Sequence, residues 1–236
     1  GLPPEQVRLA QNFPDPTIWY YYSGPLAHIV LPPAANDATG ATEAVATLAA
    51  EGVARVILPV QPADWWDGSG IGSASLAQGY SLTAQIPVGV WPVEIYSRAP
   101  GPLPALDVEF VNGLRLTGAA VEPGVAVPGG LLVVYLQWDA ANAELGGSET
   151  VFLHLLDEMG QIVGQVDVPL SAGLGADERA TYGILLPDTS PAGPYRLSGG
   201  LYDPSLPGAP RLQTRTGAGF VELGVFQNES LSVIGR

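Results

Sequence analysis

Residues 1–99 alternate between strand-like and helix-like patterns of apolar positions. The segment ATEAVATLAAE places Val45 and Leu48 on one face of a helix, with Gly52 as its stop signal. VARVILPV is a continuous apolar run, typical of a strand buried on both faces. The predicted elements, in chain order, are strands over 17–22 and 27–31, a helix over 41–51, a strand over 53–60, a weaker helix over 73–85 and a strand over 91–97. This order predicts a small α/β domain with a mainly parallel sheet.

After residue 106 the helical period disappears, and short strand candidates are separated by turn signals such as Glu122-Pro-Gly. The predicted strands cover residues 108–110, 114–121, 131–138, 150–156, 162–168, 182–186, 195–202 and 220–226. One face of the segment LLVVYLQW carries four apolar side chains, those of Leu132, Val134, Leu136 and Trp138. Short strands at this spacing predict an antiparallel β-sandwich of the immunoglobulin or fibronectin type.

The segment RAPGPLPA, residues 98–105, contains three prolines and fits a short, semi-rigid linker better than a regular element. We therefore predict an α/β domain over residues 1–99, a proline-rich linker over 100–105, a β-sandwich domain over 106–228 and a C-terminal tail over 229–236. Gly1 in place of a methionine suggests a tag-cleavage scar on an excised fragment, with a natural mature N-terminus as the alternative.

The segment IWYYYSGPLAHIVLP contains three consecutive tyrosines and is compatible with a buried strand, a sugar-stacking platform or a membrane-interface belt. In a strand, Ile18, Tyr20 and Tyr22 point to one face and Trp19 and Tyr21 to the other, so both faces are aromatic. Such a strand is expected in a sheet covered on both sides. We therefore predict that Tyr20 and Tyr22 are largely buried. The membrane belt is the weakest interpretation, because no spanning segment stands beside it.

Charge and composition exclude several classes of function. The chain has 23 acidic residues and nine arginines but no lysine, with a formal net charge of -14. Nucleic acids and anionic membrane surfaces both require cations, so neither is an expected partner. Without cysteine, thiolate chemistry and disulfides are excluded as well. No apolar run approaches the roughly 18 to 20 residues needed to span a bilayer, so we expect no direct membrane insertion by this chain.

No catalytic template matches the sequence. The glycine-rich stretch Gly68–Gly72 lacks the spacing of a dinucleotide fingerprint, and no lysine follows it. The two histidines, His28 and His154, fall in different predicted domains, which argues against a shared metal site. Asp157 begins a turn, but the ligand spacing of a calcium loop is missing there. We therefore predict no catalytic residue, no cofactor and no metal site.

The best candidate for a ligand contact is the segment QPADWWDG, which follows the apolar strand 53–60. Ligands of open α/β sheets gather beyond the carboxyl ends of strands. An exposed indole of Trp65 or Trp66, beside the carboxylates of Asp64 and Asp67, suits a sugar through stacking and hydroxyl acceptance. The alternative is that both indoles pack over the sheet edge or against the second domain.

Several stretches together resemble the extracytoplasmic region of bacterial membrane glycosyltransferases, the relatives of the dolichyl-phosphate-mannose–protein mannosyltransferases and aminoarabinose lipid A transferases. In the first half the similarity lies in WYYYSGPLAHIVLP and VARVILPV. In the second half it lies in GLRLTGAAVEPGVAVPGGLLVVYLQW, TVFLHLLDEMGQIVGQVDVPL and GPYRLSGGLYDP, which resemble a β-sandwich appended to such enzymes. One departure is SAGLGADERA, residues 171–180, where a longer loop with a tryptophan is expected.

The resemblance implies a non-catalytic, extracytoplasmic domain pair that helps a polyprenyl-phosphate-sugar-dependent enzyme to position an acceptor or partner. The implied partners are the membrane-embedded glycosyltransferase portion of the same polypeptide and a glycan or lipid-linked sugar, at the extracytoplasmic face of the cell membrane. The family's catalytic carboxylates lie in loops of the membrane part, and no position here matches them. The alternative is an independent cell-envelope module that binds carbohydrate or protein.

Overall fold

The computed structural model describes residues 2–123, 125–126, 128–173, 178–190 and 194–228. The chain divides into two compact units, Gly1–Gly101 (unit 1) and Pro102–Arg236 (unit 2). The predicted tail over 229–236 and residues 174–177 of the departure noted above lie outside the described residues.

Unit 1 contains five strands and three α-helices among its described residues. The strands are β1 Val7–Gln11, β2 Ala27–Val30, β3 Arg55–Pro59, β4 Ser81–Val88 and β5 Trp91–Ser97. The helices are α1 Pro16–Tyr21, α2 Ala38–Ala50 and α3 Ile71–Gly79, with short 3-10 turns at Pro4–Gln6 and Gly68–Gly70.

The predicted fold class is wrong, because the sheet of unit 1 is mixed rather than mainly parallel. Its strand order is β2-β1-β3-β5-β4. Strand β1 runs parallel to both β2 and β3, whereas β5 pairs antiparallel with β3 and with β4. The reason is the β4–β5 hairpin: helix α3 ends at Gly79, and the residues assigned to the end of the weaker helix form β4 instead.

Helix α1 replaces the predicted strand over residues 17–22. The Asp15 carboxylate accepts a hydrogen bond from the Thr17 backbone N–H at 2.8 Å, and Pro16 occupies the first helical position. Both features favour a helix start, because the cap satisfies a free N–H group and proline already has a helical φ angle. Apolar character alone therefore misled the assignment, although the start signal Asp-Pro-Thr was present in the sequence.

The core of unit 1 is built from small and aliphatic side chains. The predicted helix over 41–51 is present as α2, which buries Ala41, Val45 and Leu48. These side chains pack with Leu76 of α3 and with the buried residues of β3. Two tyrosines close the cluster, and both hydroxyls are hydrogen-bonded: Tyr80 to the Val53 carbonyl and Tyr96 to the Glu94 carboxylate.

Unit 2 consists of two sheets, with strand orders β11-β10-β13-β14-β8 and β12-β9-β7-β6. All pairings are antiparallel except β8–β14, which is parallel. The strands are β6 Ala105–Glu109, β7 Arg115–Glu122, β8 Val125–Ala126, β9 Leu131–Asp139, β10 Thr150–Leu156, β11 Ile162–Pro169, β12 Arg179–Leu185, β13 Tyr195–Tyr202 and β14 Val221–Asn228, with the short helix α4 at Leu170–Gly173.

The two sheets of unit 2 share one hydrophobic core. Strand β9 contributes the face predicted from its alternation, including Leu136 and Trp138. The other sheet contributes Leu153 and Leu155 from β10 and Tyr195 from β13 to the same cluster. Side chains from both inner faces therefore interdigitate, which is the arrangement of a β-sandwich.

Candidate functional site

The three parallel strands of unit 1 end at one edge of the sheet, which we call the carboxyl edge. It is formed by the last residues of β1, β2 and β3, namely Gln11, Val30 and Pro59. Ligands of α/β sheets gather at this edge because the connections that leave the strands expose their backbone and side chains there. The sequence-predicted contact, residues 61–68, follows β3 directly and therefore leaves from this edge.

Hydrogen bonds hold the connections at the carboxyl edge together. The Asn12 amide donates to the Gln61 carbonyl at 2.7 Å and accepts from the Gln61 N–H at 3.2 Å. The Gln61 side chain also donates to the Asp15 carboxylate at 3.3 Å. Hydrogen bonds from the Thr17 side chain and backbone lower the pKa of Asp15, with a smaller contribution from Gln61. Asp15 is therefore a stable anion at this edge.

The structure separates the four predicted contact residues into two pairs. Asp64 and Trp65 are exposed, and the indole of Trp65 is 63% exposed. Trp66 is half-buried and donates from its Nε1 to the Pro32 carbonyl at 2.9 Å. Asp67 is buried, and its carboxylate accepts from the Gly72 N–H at 2.9 Å. Trp66 and Asp67 thus anchor the loop, whereas Asp64 and Trp65 are available to a ligand.

Aromatic neighbours hold the Trp65 ring in place. The Phe13 ring lies 5.8 Å from it at an interplanar angle of 62°, and the Trp66 ring lies 5.7 Å away at 77°. Both contacts are of the edge type, which aromatic quadrupoles favour. Trp65 is therefore an exposed indole whose orientation is fixed by its neighbours before any ligand arrives.

Gln11 is the feature of the carboxyl edge that sequence reasoning missed. Gln11 is only 1% exposed, and neither its Nε2 nor its Oε1 has a hydrogen-bond partner among the described residues. A buried amide without partners costs free energy, so such groups usually bind a water molecule or a ligand. The available signal was a polar pair, Gln11-Asn12, at the end of an apolar strand.

The predicted burial of the tyrosines is wrong. Tyr20 is 86% exposed, and Tyr21 beside it is exposed too. Tyr22 is half-buried, with its hydroxyl accepting from the Leu26 N–H at 3.1 Å. Trp19 is exposed, although its ring lies 5.9 Å from that of His28. The physical reason is the helix: α1 buries none of its six residues, so its three aromatic side chains point outward.

Unit 2 holds an open groove of about 380 Å³ with carboxylates in its wall. Its lining includes Asn112, Glu149, Asp203, Leu206, Arg211 and Leu212. The carboxylates have local structural work: Glu149 accepts from two glycine N–H groups of its own turn, and Asp203 accepts from Ser148 and Ser205. The hydrogen bonds from Ser205 and Ser148 lower the pKa of Asp203.

The other residues considered as candidate metal ligands, Asp157, His28 and His154, form no metal site among the described residues. Asp157 accepts from the N–H groups of Met159 and Gln161 and so closes the β10–β11 turn. His28 and His154 lie in different units. Across the described ranges, no group of three or more histidine, aspartate and glutamate residues is arranged to hold a metal ion. In the same ranges, no helix has the length and apolar character needed to cross a membrane.

Comparisons with known proteins assign no family. No family model matches the sequence, and no curated protein matches it. Among solved structures, an FMN-binding beta-glucuronidase from Facaelibacterium prausnitzii L2-6 is 17% identical, with a TM-score of 0.25. A Bifidobacterium dentium beta-glucuronidase complexed with coumarin-3-O-glucuronide is 17% identical, with a TM-score of 0.23. An endonuclease/exonuclease/phosphatase from Beutenbergia cavernae DSM 12333 is 12% identical, with a TM-score of 0.23.

The aligned regions are partial. They cover 47%, 51% and 81% of this chain and 16%, 18% and 60% of the three neighbours, in the order given. The chain therefore spans less than a fifth of the two glucuronidase chains. At these TM-scores and identities, the similarities carry no argument about fold or function.

Proposed function

We propose that this chain is the non-catalytic, extracytoplasmic part of a polyprenyl-phosphate-sugar-dependent membrane glycosyltransferase, and that its carboxyl edge holds a carbohydrate acceptor. One observation carries the binding role: Trp65 is exposed beside Asp64 on a loop that Trp66 and Asp67 anchor. An indole face attracts the C–H face of a sugar, and a carboxylate accepts its hydroxyl groups. The link to a glycosyltransferase rests on the sequence resemblance described above.

The charge at the carboxyl edge favours a neutral ligand. Asp15 and Asp64 both lie on the connections of this edge, and the whole chain carries a formal net charge of -14. An anionic ligand, including a bare phosphate, is repelled by such a surface. A neutral oligosaccharide is not repelled, so its binding free energy is not reduced by the negative charge. Its hydroxyl groups donate hydrogen bonds to the carboxylates. The glycan acceptor therefore suits the edge better than the phosphate of the donor.

The pKa of Asp15 argues against one catalytic role, that of a general acid. Glycoside chemistry needs a carboxylic acid that stays protonated near neutral pH, which requires a raised pKa. The hydrogen bonds from Thr17 lower the pKa of Asp15 instead. Asp15 therefore serves as a fixed acceptor rather than as a general acid.

Binding is tested by titrating the chain with mannotriose, cellotriose and N-acetylchitotriose, with calorimetry as the readout. We expect Trp65→Ala to weaken binding about tenfold or more, since about 1.4 kcal/mol corresponds to a factor of ten. Phe220→Ala is the control, because Phe220 is an exposed aromatic residue that belongs to unit 2. Wild-type chain that binds none of the three sugars at millimolar concentration, or a Trp65→Ala variant with unchanged affinity, contradicts the proposal.

The accessory role is tested in the membrane enzyme itself. Trp65→Ala is expected to raise KM for the acceptor and to leave kcat nearly unchanged, because a positioning contact made equally in the ground and transition states affects binding alone. A lower kcat with unchanged KM argues for a role in the chemical step. A reading frame that encodes no membrane-spanning segments upstream of Leu2 favours the independent cell-envelope module instead.

A further inference from the structure

Two stretches of unit 1 contain no charged residue and expose apolar or aromatic side chains. The first is residues 16–26, PTIWYYYSGPL, which includes α1. The second is residues 86–93, IPVGVWPV, which forms the tip of the β4–β5 hairpin. Four of their side chains are largely exposed to solvent: Tyr20 and Tyr21 on the helix, and Val88 and Val90 at the hairpin tip. Both stretches therefore present apolar or aromatic surface without charge.

Both stretches leave from the carboxyl edge. Strand β5 runs antiparallel to β3, with Val93 opposite Pro59, and the Val60 N–H donates to the Pro92 carbonyl at 2.9 Å. The hairpin tip therefore projects beyond the end of β3. Helix α1 begins at the same edge, because its cap residue Asp15 accepts a hydrogen bond from Gln61.

The hairpin tip has the shape and chemistry of a shallow membrane contact. Val88 and Trp91 form the last cross-strand pair, and Val90 between them is 85% exposed. Trp91 is exposed as well. Tryptophan and tyrosine prefer the level of lipid headgroups, where the ring is buried and its polar atom stays wet, and valine enters the acyl boundary.

We propose that the tip of the β4–β5 hairpin and helix α1 rest on a lipid surface with neutral headgroups, through Val88, Val90 and Trp91 of the hairpin and Tyr20 and Tyr21 of α1. Charge decides the kind of lipid. Neither uncharged stretch offers a cation to an anionic headgroup, and the acidic protein is repelled by such a surface. The contact lies at headgroup depth and is distinct from a spanning segment. It is also distinct from glycan binding at Trp65.

Flotation with phosphatidylcholine vesicles tests the proposal. Val90→Asp is expected to lower the partition coefficient about tenfold, since an ionised carboxylate is costly at this depth and 1.4 kcal/mol corresponds to a factor of ten. Leu82→Asp is the matched control. Leu82 is an exposed apolar residue of the same strand, about 20 Å from Val88 at about 3.3 Å per residue, and its substitution is expected to leave flotation unchanged.

Two further readouts separate the lipid from other occupants. Brominated phosphatidylcholine is expected to quench part of the tryptophan fluorescence. Trp91→Phe is expected to reduce that quenching, and the remainder comes from Trp19 of the first stretch, which is exposed as well. Vesicles that contain phosphatidylglycerol are expected to bind the wild-type chain more weakly. Circular dichroism and thermal unfolding of Val90→Asp should match the wild type, because an exposed side chain contributes little to stability.

Three results overturn the inference: no flotation of the wild-type chain with phosphatidylcholine, equal flotation of Val90→Asp, or stronger binding to anionic vesicles. Wild-type chain that stays free of all vesicles while Val90→Asp impairs the parent enzyme assigns the hairpin tip to a protein surface instead.

Discussion

The two units of this protein use their aromatic residues in opposite ways. The largest fully buried side chains are Trp138, Tyr135, Tyr195, Phe110 and Phe152, and all five belong to unit 2. Unit 1 instead exposes large aromatic side chains, those of Trp19, Tyr20, Tyr21, Trp65 and Trp91. Rings in the sandwich therefore stabilise the fold, whereas the rings of unit 1 remain available for contacts with other molecules.

The architecture explains the difference. Two facing sheets leave a layer about 10 Å thick that large rings can fill, as those of Phe110, Trp138 and Tyr195 do. Helix α2 packs on its sheet through Ala41 and Val45, so the helix approaches closely and leaves little room for rings. Tyr80 and Tyr96 are buried in this core, whereas the exposed rings of unit 1 lie at the carboxyl edge.

The largest effect is expected when a ring is cut from each unit in turn. Trp138→Ala should destabilise the sandwich by about 3 to 5 kcal/mol, since it removes a buried ring and leaves a cavity. Trp65→Ala and Tyr20→Ala should stay within about 0.5 kcal/mol of the wild type, because both rings are exposed. Urea unfolding measures all three. A large loss of stability in Tyr20→Ala would restore the buried interpretation of the tyrosines.

A smaller effect is expected from adding a side chain at Gly72, whose N–H donates to the loop residue Asp67. A Cβ at Gly72 would lie 2.6 Å from the carbonyl oxygen of Leu31, which is backbone and cannot swing away. Gly72→Ala should therefore cost about 1 to 3 kcal/mol. It should also weaken glycan binding by disturbing Asp67, which accepts from the Gly72 N–H. Gly101→Ala is the control, because open space surrounds that position. Equal stability of the two variants would show that the anchor is adaptable.

The third comparison takes from each unit one buried polar side chain that has no hydrogen-bond partner among the described residues. Gln11→Met and Tyr182→Phe each remove a polar group that has no hydrogen-bond partner among the described residues. Burial raises the pKa of Tyr182, as expected for a hydroxyl in apolar surroundings. Both variants should gain about 1 kcal/mol of stability. Urea unfolding measures both variants. A loss of stability in either one would show that its polar group is satisfied, for example by a buried water molecule.

The smallest effect is expected from pH. Burial lowers the pKa of His154, Asp167 raises it and Arg211 lowers it. The unfolded chain therefore takes up a proton near pH 6.5 that the folded sandwich resists, so stability present above that pH is lost as the pH falls. The urea midpoint of the wild type should fall more between pH 7.5 and 5.5 than that of His154→Gln. Parallel curves would show that His154 titrates normally.

Sequence patterns located the strands of unit 2 better than those of unit 1. The bounds of β10 and β13 agree with the predicted strands over 150–156 and 195–202. The side chains of these strands alternate between a core face and an outer face, so the two-residue repeat of apolar positions can be recognised in the sequence. In unit 1 the interior strand β1 was missed, since Val7–Gln11 is short and includes an arginine and a glutamine.

The sequence left Trp65 either exposed or packed over the sheet edge, and the structure shows it exposed after β3. Ligand binding at Trp65 stays a prediction. The division between Asp64 and Trp65 on one side and Trp66 and Asp67 on the other was not predictable. It depends on the carbonyl of Pro32 and the N–H of Gly72, which reach the loop from separate parts of the chain.

The sequence by itself determined the local elements that carry their own periodic signal: the amphipathic helix α2 and the alternating strands of unit 2. Only the tertiary structure decided the mixed order of the first sheet, the exposure of α1 and the isolation of the Gln11 amide. The physical reason is that periodicity reports which way a side chain points from its own element. What covers that side chain depends on strands and loops distant in the chain.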